Sequence, residues 1–383
     1  MAQGFYKWFV ICVIWFGYSA SFAQTPDQTN SDQNAASNKK ESKSSKKNAA
    51  KKDSLPEFET SYNEALKLID SSRYKEAVPL LKKTVKLKPD HWEAFNKLAF
   101  SNIKLKEYKE AAKNLDKAEM IAPMNFETEK LKGINFFLDK KFKESKAALD
   151  TALYVLLEEK LDDPELFYYR AQLMYAGKDL KKALETADIA LDVKPKYIEV
   201  LMLKAEIRFA QKEYNYVIKD LTEAISYMND LSTDYNAYKL RARSKFEIGD
   251  YKGAAKDWNV YIDANPGEES ALVSRAAAKI NYNDNSGAIA DLDEAVKLNP
   301  KNPVIYCYRG TAKGGNKQYV EALKDLDYAI KLKFDYAAAY VNRAAIKMAC
   351  KDKRGACEDL AKADSLGDEM AVRLYESYCR DKR

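Results

Sequence analysis

The sequence predicts an all-α solenoid of about nine helix hairpins, ended by one C-terminal capping helix. Three observations carry this reading. A pattern of small and large apolar residues recurs at or near every 34 residues between residues 58 and 365. Pro and Gly are scarce, at 10 and 13 among 383 residues, so few positions break a helix. No segment alternates apolar and polar residues as a half-buried strand would. The chain is too long for one ordinary core, but repeats escape that limit because each packs only on its neighbours. Apolar residues, 46% of the chain, supply a core, and the 32% that are charged suit solvated helices.

In chain order, residues 1–23 read as a signal peptide. Lys7 supplies the positive start, and Trp8 to Gly17 is an apolar run too short to span a bilayer. Ser21-Phe22-Ala23 fits the small-x-small rule for cleavage before Gln24. An uncleaved membrane anchor is the alternative. Phe9-Val10-Ile11 before Cys12 does not resemble a lipobox, so no acylation is expected there. Residues 24–56 are rich in Gln, Asn, Ser and Lys, and read as a disordered linker because they bury too little apolar surface to offset ordering. The lysines Lys39, Lys40, Lys43, Lys46, Lys47, Lys51 and Lys52 offer weak contact with an anionic surface, or serve only to solvate a spacer. Of the net charge of +6, Lys7 contributes one and residues 24–56 three, so the rest carries only +2. That argues against a nucleic-acid footprint on the fold.

Residues 57–365 hold the array. Its phrase is Tyr-x-x-Ala, then Leu, then Ala. The small residue falls at Ala77, Ala111, Ser145, Ala183, Val217, Ala254, Ala288, Ala322 and Ala356. A second small residue lies twelve positions earlier, at Ala65, Ala99, Gly133, Ala171, Ala205, Ala242, Ala276, Gly310 and Ala344. A third series follows the first by seven positions, as in Ala118, Ala152, Ala190, Ala224 and Ala295, with Tyr261 as its large exception. Two antiparallel helices need small residues where their backbones approach, and large ones such as Leu115, Leu149 and Leu292 beside them. Gly249-Asp250 and Gly177-Lys178-Asp179 mark turns, and Pro89, Pro123, Pro195, Pro266 and Pro300 stop second helices. Insertions at Glu158–Asp163 and Ser226–Asp234 account for spacings of 38 and 37. Residues 366–383 form the cap, with Ala371, Leu374, Tyr375 and Tyr378 on its apolar face.

This pattern resembles the tetratricopeptide repeat (TPR), whose 34-residue unit has small residues at its eighth, twentieth and twenty-seventh positions and Pro near its end. The likeness spans roughly residues 58–365. Unit 3 lacks its closing Pro, unit 5 has Val217 for Ala, and unit 9 has Lys353-Arg354-Gly355 where an aromatic is expected. The resemblance implies a right-handed superhelical solenoid that binds proteins along a groove lined by its first helices. Carried over to units 3–5, the groove positions are Ile134, Phe137, Tyr168, Gln172, Tyr175, Met202, Glu206 and Phe209, an apolar and aromatic surface suited to a peptide or helix. Several of them could instead pack between helices. The clamp that some members use for C-terminal carboxylates needs an Asn at the ninth position, which no unit has.

Units 5–9 carry a charge ladder. Its bases are Lys204, Arg241, Arg275, Arg309 and Arg343, each followed one turn later by Arg208, Lys245, Lys279, Lys313 or Lys347. Asp220, Asp257, Asp291, Asp325 and Asp359 lie on the second helices. The favoured reading is a strut between helices, and a basic track for an anionic ligand is the alternative. Past the leader the cysteines are Cys307, Cys350, Cys357 and Cys379. Cys357–Cys379 is the favoured disulfide because it would staple the cap to the last hairpin. Cys350–Cys357 and unpaired thiols remain alternatives.

No catalytic residue, metal site or cofactor is expected. His91 is the one histidine, and the chain has no P-loop, no Gly-rich dinucleotide turn and no Cys-x-x-Cys. The expectation is a periplasmic, protein-binding scaffold, not an enzyme, with secretion or surface association as the alternative location. Its partners would be peptide or helix segments of envelope or outer-membrane proteins, held for assembly, secretion or host interaction. A fixed structural subunit of a large envelope complex is the second reading. No nucleic-acid partner and no transmembrane segment in the mature chain are expected.

Overall fold

The structure is a computed structural model, and it describes residues 56–228 and 234–380. The expected signal peptide, the linker up to residue 55, residues 229–233 of the second insertion and residues 381–383 lie outside the described residues.

Two compact units divide the described chain at Leu203 and Lys204. The first holds α1 (Glu57–Asp70), α2 (Tyr74–Leu87), α3 (Trp92–Lys104), α4 (Tyr108–Ile121), α5 (Phe126–Leu138), α6 (Phe142–Glu159), α7 (Pro164–Ala176) and α8 (Leu180–Val193). The division falls inside α9 (Ile198–Ala210). The second unit continues with α10 (Tyr214–Tyr227), α11 (Tyr235–Glu247), α12 (Tyr251–Ala264), α13 (Glu269–Asn281), α14 (Asn285–Leu298), α15 (Pro303–Gly315), α16 (Tyr319–Leu332), α17 (Ala337–Ala349), α18 (Lys353–Ser365) and α19 (Glu369–Tyr378). Among the described residues every element is a helix, and α1 to α18 pair as nine hairpins.

The hairpins close because one residue in each turn adopts the left-handed conformation. These are Ser72, Lys106, Lys140, Lys178, Lys212, Gly249, Asn283, Lys317 and Lys351, with φ between 58° and 84°. The turn then closes as a Schellman-type ring, as where the Glu107 N–H donates to the Asn102 carbonyl at 2.8 Å. In the fourth hairpin the left-handed residue is Lys178, while Gly177 keeps φ −77°. Side-chain caps open several helices. Asp163 Oδ1 accepts the Leu166 N–H at 2.8 Å, and Asn302 Oδ1 accepts the Val304 N–H at 2.9 Å. Glu158 and Glu159 of the first insertion extend α6, which runs for 18 residues and is followed by left-handed Lys160.

Packing follows the repeat. Ala65, Ala77, Ala99, Ala111, Ala276 and Ala288 are fully buried, as are Leu81, Leu115, Leu149 and Leu292. Glycine is required at closest approach: a Cβ at Gly310 would lie 2.7 Å from Leu326 Cγ and 3.0 Å from the Ala322 carbonyl. Ser145 is buried without strain because its Oγ donates to the Gly133 carbonyl at 2.9 Å. Val217 is fully buried in the place of an alanine. Tyr261, where a small residue was expected, is 5% exposed and bonds Glu268 and Lys239 through its hydroxyl. At the C-terminus α19 buries Ala371 against Val341, Ala344, Leu360 and Ala363. Cys379, at its end, is disulfide-bonded to Cys357 on α18, with Cα atoms 5.7 Å apart. Cys307 is a buried free thiol and Cys350 an exposed one.

Candidate partner-binding face

In the first unit, the first helices of hairpins 3 and 4 present a connected run of aromatic rings. Phe137 on α5 lies 5.7 Å from Phe142 on α6 and 5.9 Å from Tyr169 on α7. Tyr169 meets Tyr168 edge to face at 5.2 Å, and Tyr168 meets Tyr197, just before α9, at 5.6 Å. These spacings fall within the 4.5–7 Å range of favourable ring pairs. Burial, then Glu165 and Glu199, pushes the Tyr169 hydroxyl up to about 12. The same causes raise Tyr197. Lys194 places its ammonium 4.2 Å from the Tyr197 ring centre, so this surface holds cations as well as apolar groups.

The expected groove residues divide. Phe137, Tyr168, Gln172, Tyr175 and Met202 are half-buried residues of the first unit. Ile134 is a correction: it is 4% exposed and packs among Ala99, Ile103, Ala111, Leu115 and Leu131. A ninth-position side chain that large fills the gap to the preceding hairpin instead of standing free. Glu206 and Phe209 belong to the second unit. Phe209 meets Tyr214 edge to face at 5.5 Å, with the Arg243 guanidinium 4.6 Å from its ring centre. Glu206 is exposed, yet desolvation and the Asp234 carboxylate raise its carboxyl, as expected where water reaches a group from one side.

Sequence reasoning missed Tyr169, Tyr197 and Phe142. Phe142 stands at the first position of the Tyr-x-x-Ala phrase and was legible there. Tyr197 precedes its helix and falls outside the groove template.

The ladder is spent within the fold. Asp291 accepts from Arg275 at 2.8 and 3.0 Å and pairs with Lys279 at 2.8 Å, and Asp257, Asp325 and Asp359 repeat the arrangement. Each Arg also reaches the second helix of the preceding hairpin, Arg309 to Asp293 at 2.7 Å and Arg343 to Asp327 at 2.6 Å. These bases are therefore register struts, and an open basic track is not what they form. Burial raises Asp220, against the pull of Arg208. Lys130, almost buried, serves Asp163 at 2.8 Å, Glu127 at 3.0 Å and Glu165 at 3.4 Å. His91 bonds Glu93 at 2.8 Å and packs on Tyr62. Among the described residues no group of three His, Cys, Asp or Glu could hold a metal ion, and no helix is long and apolar enough to cross a membrane.

Stacked hairpins with fixed small residues and interlocking struts define an α-solenoid repeat protein. The family model described as tetratricopeptide repeat matches residues 62–123, the first two hairpins, whose geometry the later ones repeat. Residues 62–123 therefore match tetratricopeptide repeats, and the later hairpins share their helix-turn-helix form. Similar solved structures include YrrB, titled a TPR protein with an unusual peptide-binding site, at 16% identity and a TM-score of 0.46, covering 49% of this chain and 94% of that one. A tetratricopeptide repeat protein from Parabacteroides merdae is 18% identical at a TM-score of 0.46, covering 67% and 99%. Pseudomonas aeruginosa pilF is 17% identical at 0.49, covering 55% and 93%. No curated protein matches the chain.

Proposed function

We propose that this protein is a protein-binding scaffold of the periplasm, exported by residues 1–23, and that it holds a peptide or helix of an exported or outer-membrane partner on the first-helix face of hairpins 3 and 4. One observation carries the reading. Phe137, Tyr168 and Tyr169 form a half-buried ring cluster on the face that a helical-repeat array leaves for ligands. Rings of this kind supply large contact area at small cost in side-chain entropy, which is why they anchor interfaces. A scaffold is favoured over an enzyme because the carboxylates recur with the repeat and engage lysines and arginines of the same array.

Affinity capture of the tagged protein after cross-linking in the envelope fraction tests this. The expected result is one or more protein partners held by the wild-type chain, reduced at least about tenfold (~1.4 kcal/mol) by joint replacement of Phe137, Tyr168 and Tyr175 with Ala. Unchanged capture by that variant would sink the proposed face. Recovery of the chain only in the cytosolic fraction would sink the location.

A further inference from the structure

The aromatic first-helix face of the first unit has a charged border. Glu59, Glu93, Glu127, Glu165 and Glu199 each stand six residues ahead of the buried small residue of their first helix, one per hairpin through hairpin 5. They are neighbours along the face. Glu93 bonds His91, which packs on Tyr62 of the preceding hairpin, Glu127 and Glu165 share Lys130, and Glu165 and Glu199 both add to the effect of burial on Tyr169 and Tyr197. Acidic residues are favoured in any helix's first turn by the backbone dipole. That general preference does not explain the row, because the same position in hairpins 6–9 holds Asn236, Ser270, Val304 and Ala338. Glu269, one residue earlier in hairpin 7, is taken up by Asn302 at 2.6 Å. Of the bases on packed elements, His91 bonds Glu93, Lys130 pairs with Glu127 and Glu165, and Lys194 lies over the Tyr197 ring.

The complementary group is in the same chain. Residues 39–52 contain seven lysines and one acid, Glu41. The chain enters α1 at Pro56, the end of the helix where Glu59 begins the row. The first helices of hairpins 1 to 4 touch in succession, and Tyr197, just before α9, meets Tyr168 of α7, so at packing distances of about 8–10 Å the four steps to Glu199 cover about 40 Å. A 14-residue extended segment reaches about 46 Å at about 3.3 Å per residue. Lysine ammonium groups already lie over Phe58, Phe100 and Tyr197 of this unit at 4.9, 5.1 and 4.2 Å, so its rings accept the same group that the carboxylates attract.

We propose that the Lys39–Lys52 segment lies along this face of its own molecule, ammonium groups on the glutamate row and stems on the rings, and occupies the face until a partner displaces it. The occupancy stands whether or not a foreign partner binds there; only the displacement rests on the function proposed above.

Carbodiimide cross-linking of the purified full chain, which joins an ammonium to a touching carboxylate, tests this when isotopically light and heavy copies are mixed. The expected products join Lys39–Lys52 to Glu59, Glu93, Glu127, Glu165 or Glu199 within one copy. Their yield falls several-fold in about 1 M salt, where the Debye length is about 3 Å, and in a variant with Glu127→Gln, Glu165→Gln and Glu199→Gln. These replacements are at accessible positions, and an unchanged melting curve verifies the fold. Links spread evenly onto acids such as Asp327 and Glu358 of the second unit, links joining light to heavy copies, or no links from these lysines would each overturn the proposal. Partner capture reads the other claim separately: the Ala variant of the ring cluster can lose partners while these cross-links persist, and the reverse.

Discussion

Removing the Asp291 carboxylate is expected to loosen hairpin 7 severely. Asp291 is 4% exposed and takes three charge-assisted contacts, two from Arg275 and one from Lys279. With Asp291→Ala these cations, whose side chains are 15% and 17% exposed, keep their charge and lose their partner. Breaking a buried pair from one side costs about 3–5 kcal/mol. The residual hydration of both cations places the expectation near the lower end, about 3 kcal/mol. Asp327 provides the contrast: it bonds Arg343 at 2.6 Å but is 60% exposed, so Asp327→Ala should cost under about 1 kcal/mol. Because a repeat array need not unfold in one step, hydrogen exchange of α13 and α14 is the direct assay, with urea unfolding beside it. Replacing Arg275, Lys279 and Asp291 together with apolar residues of similar volume should restore most of the loss, since the desolvation of three charged groups disappears with them. If Asp291→Ala costs no more than Asp327→Ala, the struts do not hold the hairpins together.

Three further outcomes are expected. Gly310→Ala forces a methyl against Leu326 and the Ala322 carbonyl, and should cost about 1–3 kcal/mol, read as a lower melting temperature, whereas Ala276→Gly loses less. Burial raises the carboxyl of Glu129, with Lys132 opposing and Glu119 adding to it. The folded value therefore exceeds the unfolded one, and the stability this carboxyl contributes is complete in acid and lost as pH rises through the raised value. Glu129→Gln should then be near neutral at about pH 4, close to an ordinary Glu pKa, and stabilising at neutral pH, as melting curves across that range would report. Cys379→Ser opens a 22-residue link, worth about 3 kcal/mol by loop closure. Exchange protection should fall in α19 and stay unchanged in α13 to α16.

The array was legible because its packing repeats. A residue that must be small where two helices touch recurs at one spacing, and Ala65 through Ala344 mark it without reference to any contact outside the hairpin. Turn chemistry was less legible. Lysine costs about 1–2 kcal/mol in the left-handed region, yet Lys106, Lys140, Lys178, Lys212, Lys317 and Lys351 adopt it, so glycine marks the left-handed position only at Gly249 among the hairpin turns. The strut within a hairpin followed from a spacing of 16 residues, as in Arg275 to Asp291. Its second arm, Arg309 to Asp293, depends on how successive hairpins stack, which spacing inside one unit does not encode. The face was legible only in part for a related reason. Ile134 and Phe137 are three apart and share a helix face, but Ile134 fills the seam to hairpin 2 and Phe137 stands beyond it. Tyr169 turns toward Phe137 because the preceding hairpin supplies a ring there, a fact of the neighbour and not of its own helix.

A photo-reactive residue placed at Gln172, with a second variant carrying it at Tyr154, tests the central claim most directly. Gln172 lies half-buried on α7 among the face residues, while Tyr154 is 57% exposed on the second helix α6 of the same unit. Irradiated in the intact envelope, the Gln172 position should yield adducts with another protein and the Tyr154 position should not. Adducts from Tyr154 with none from Gln172 would contradict a scaffold that binds through its first-helix face.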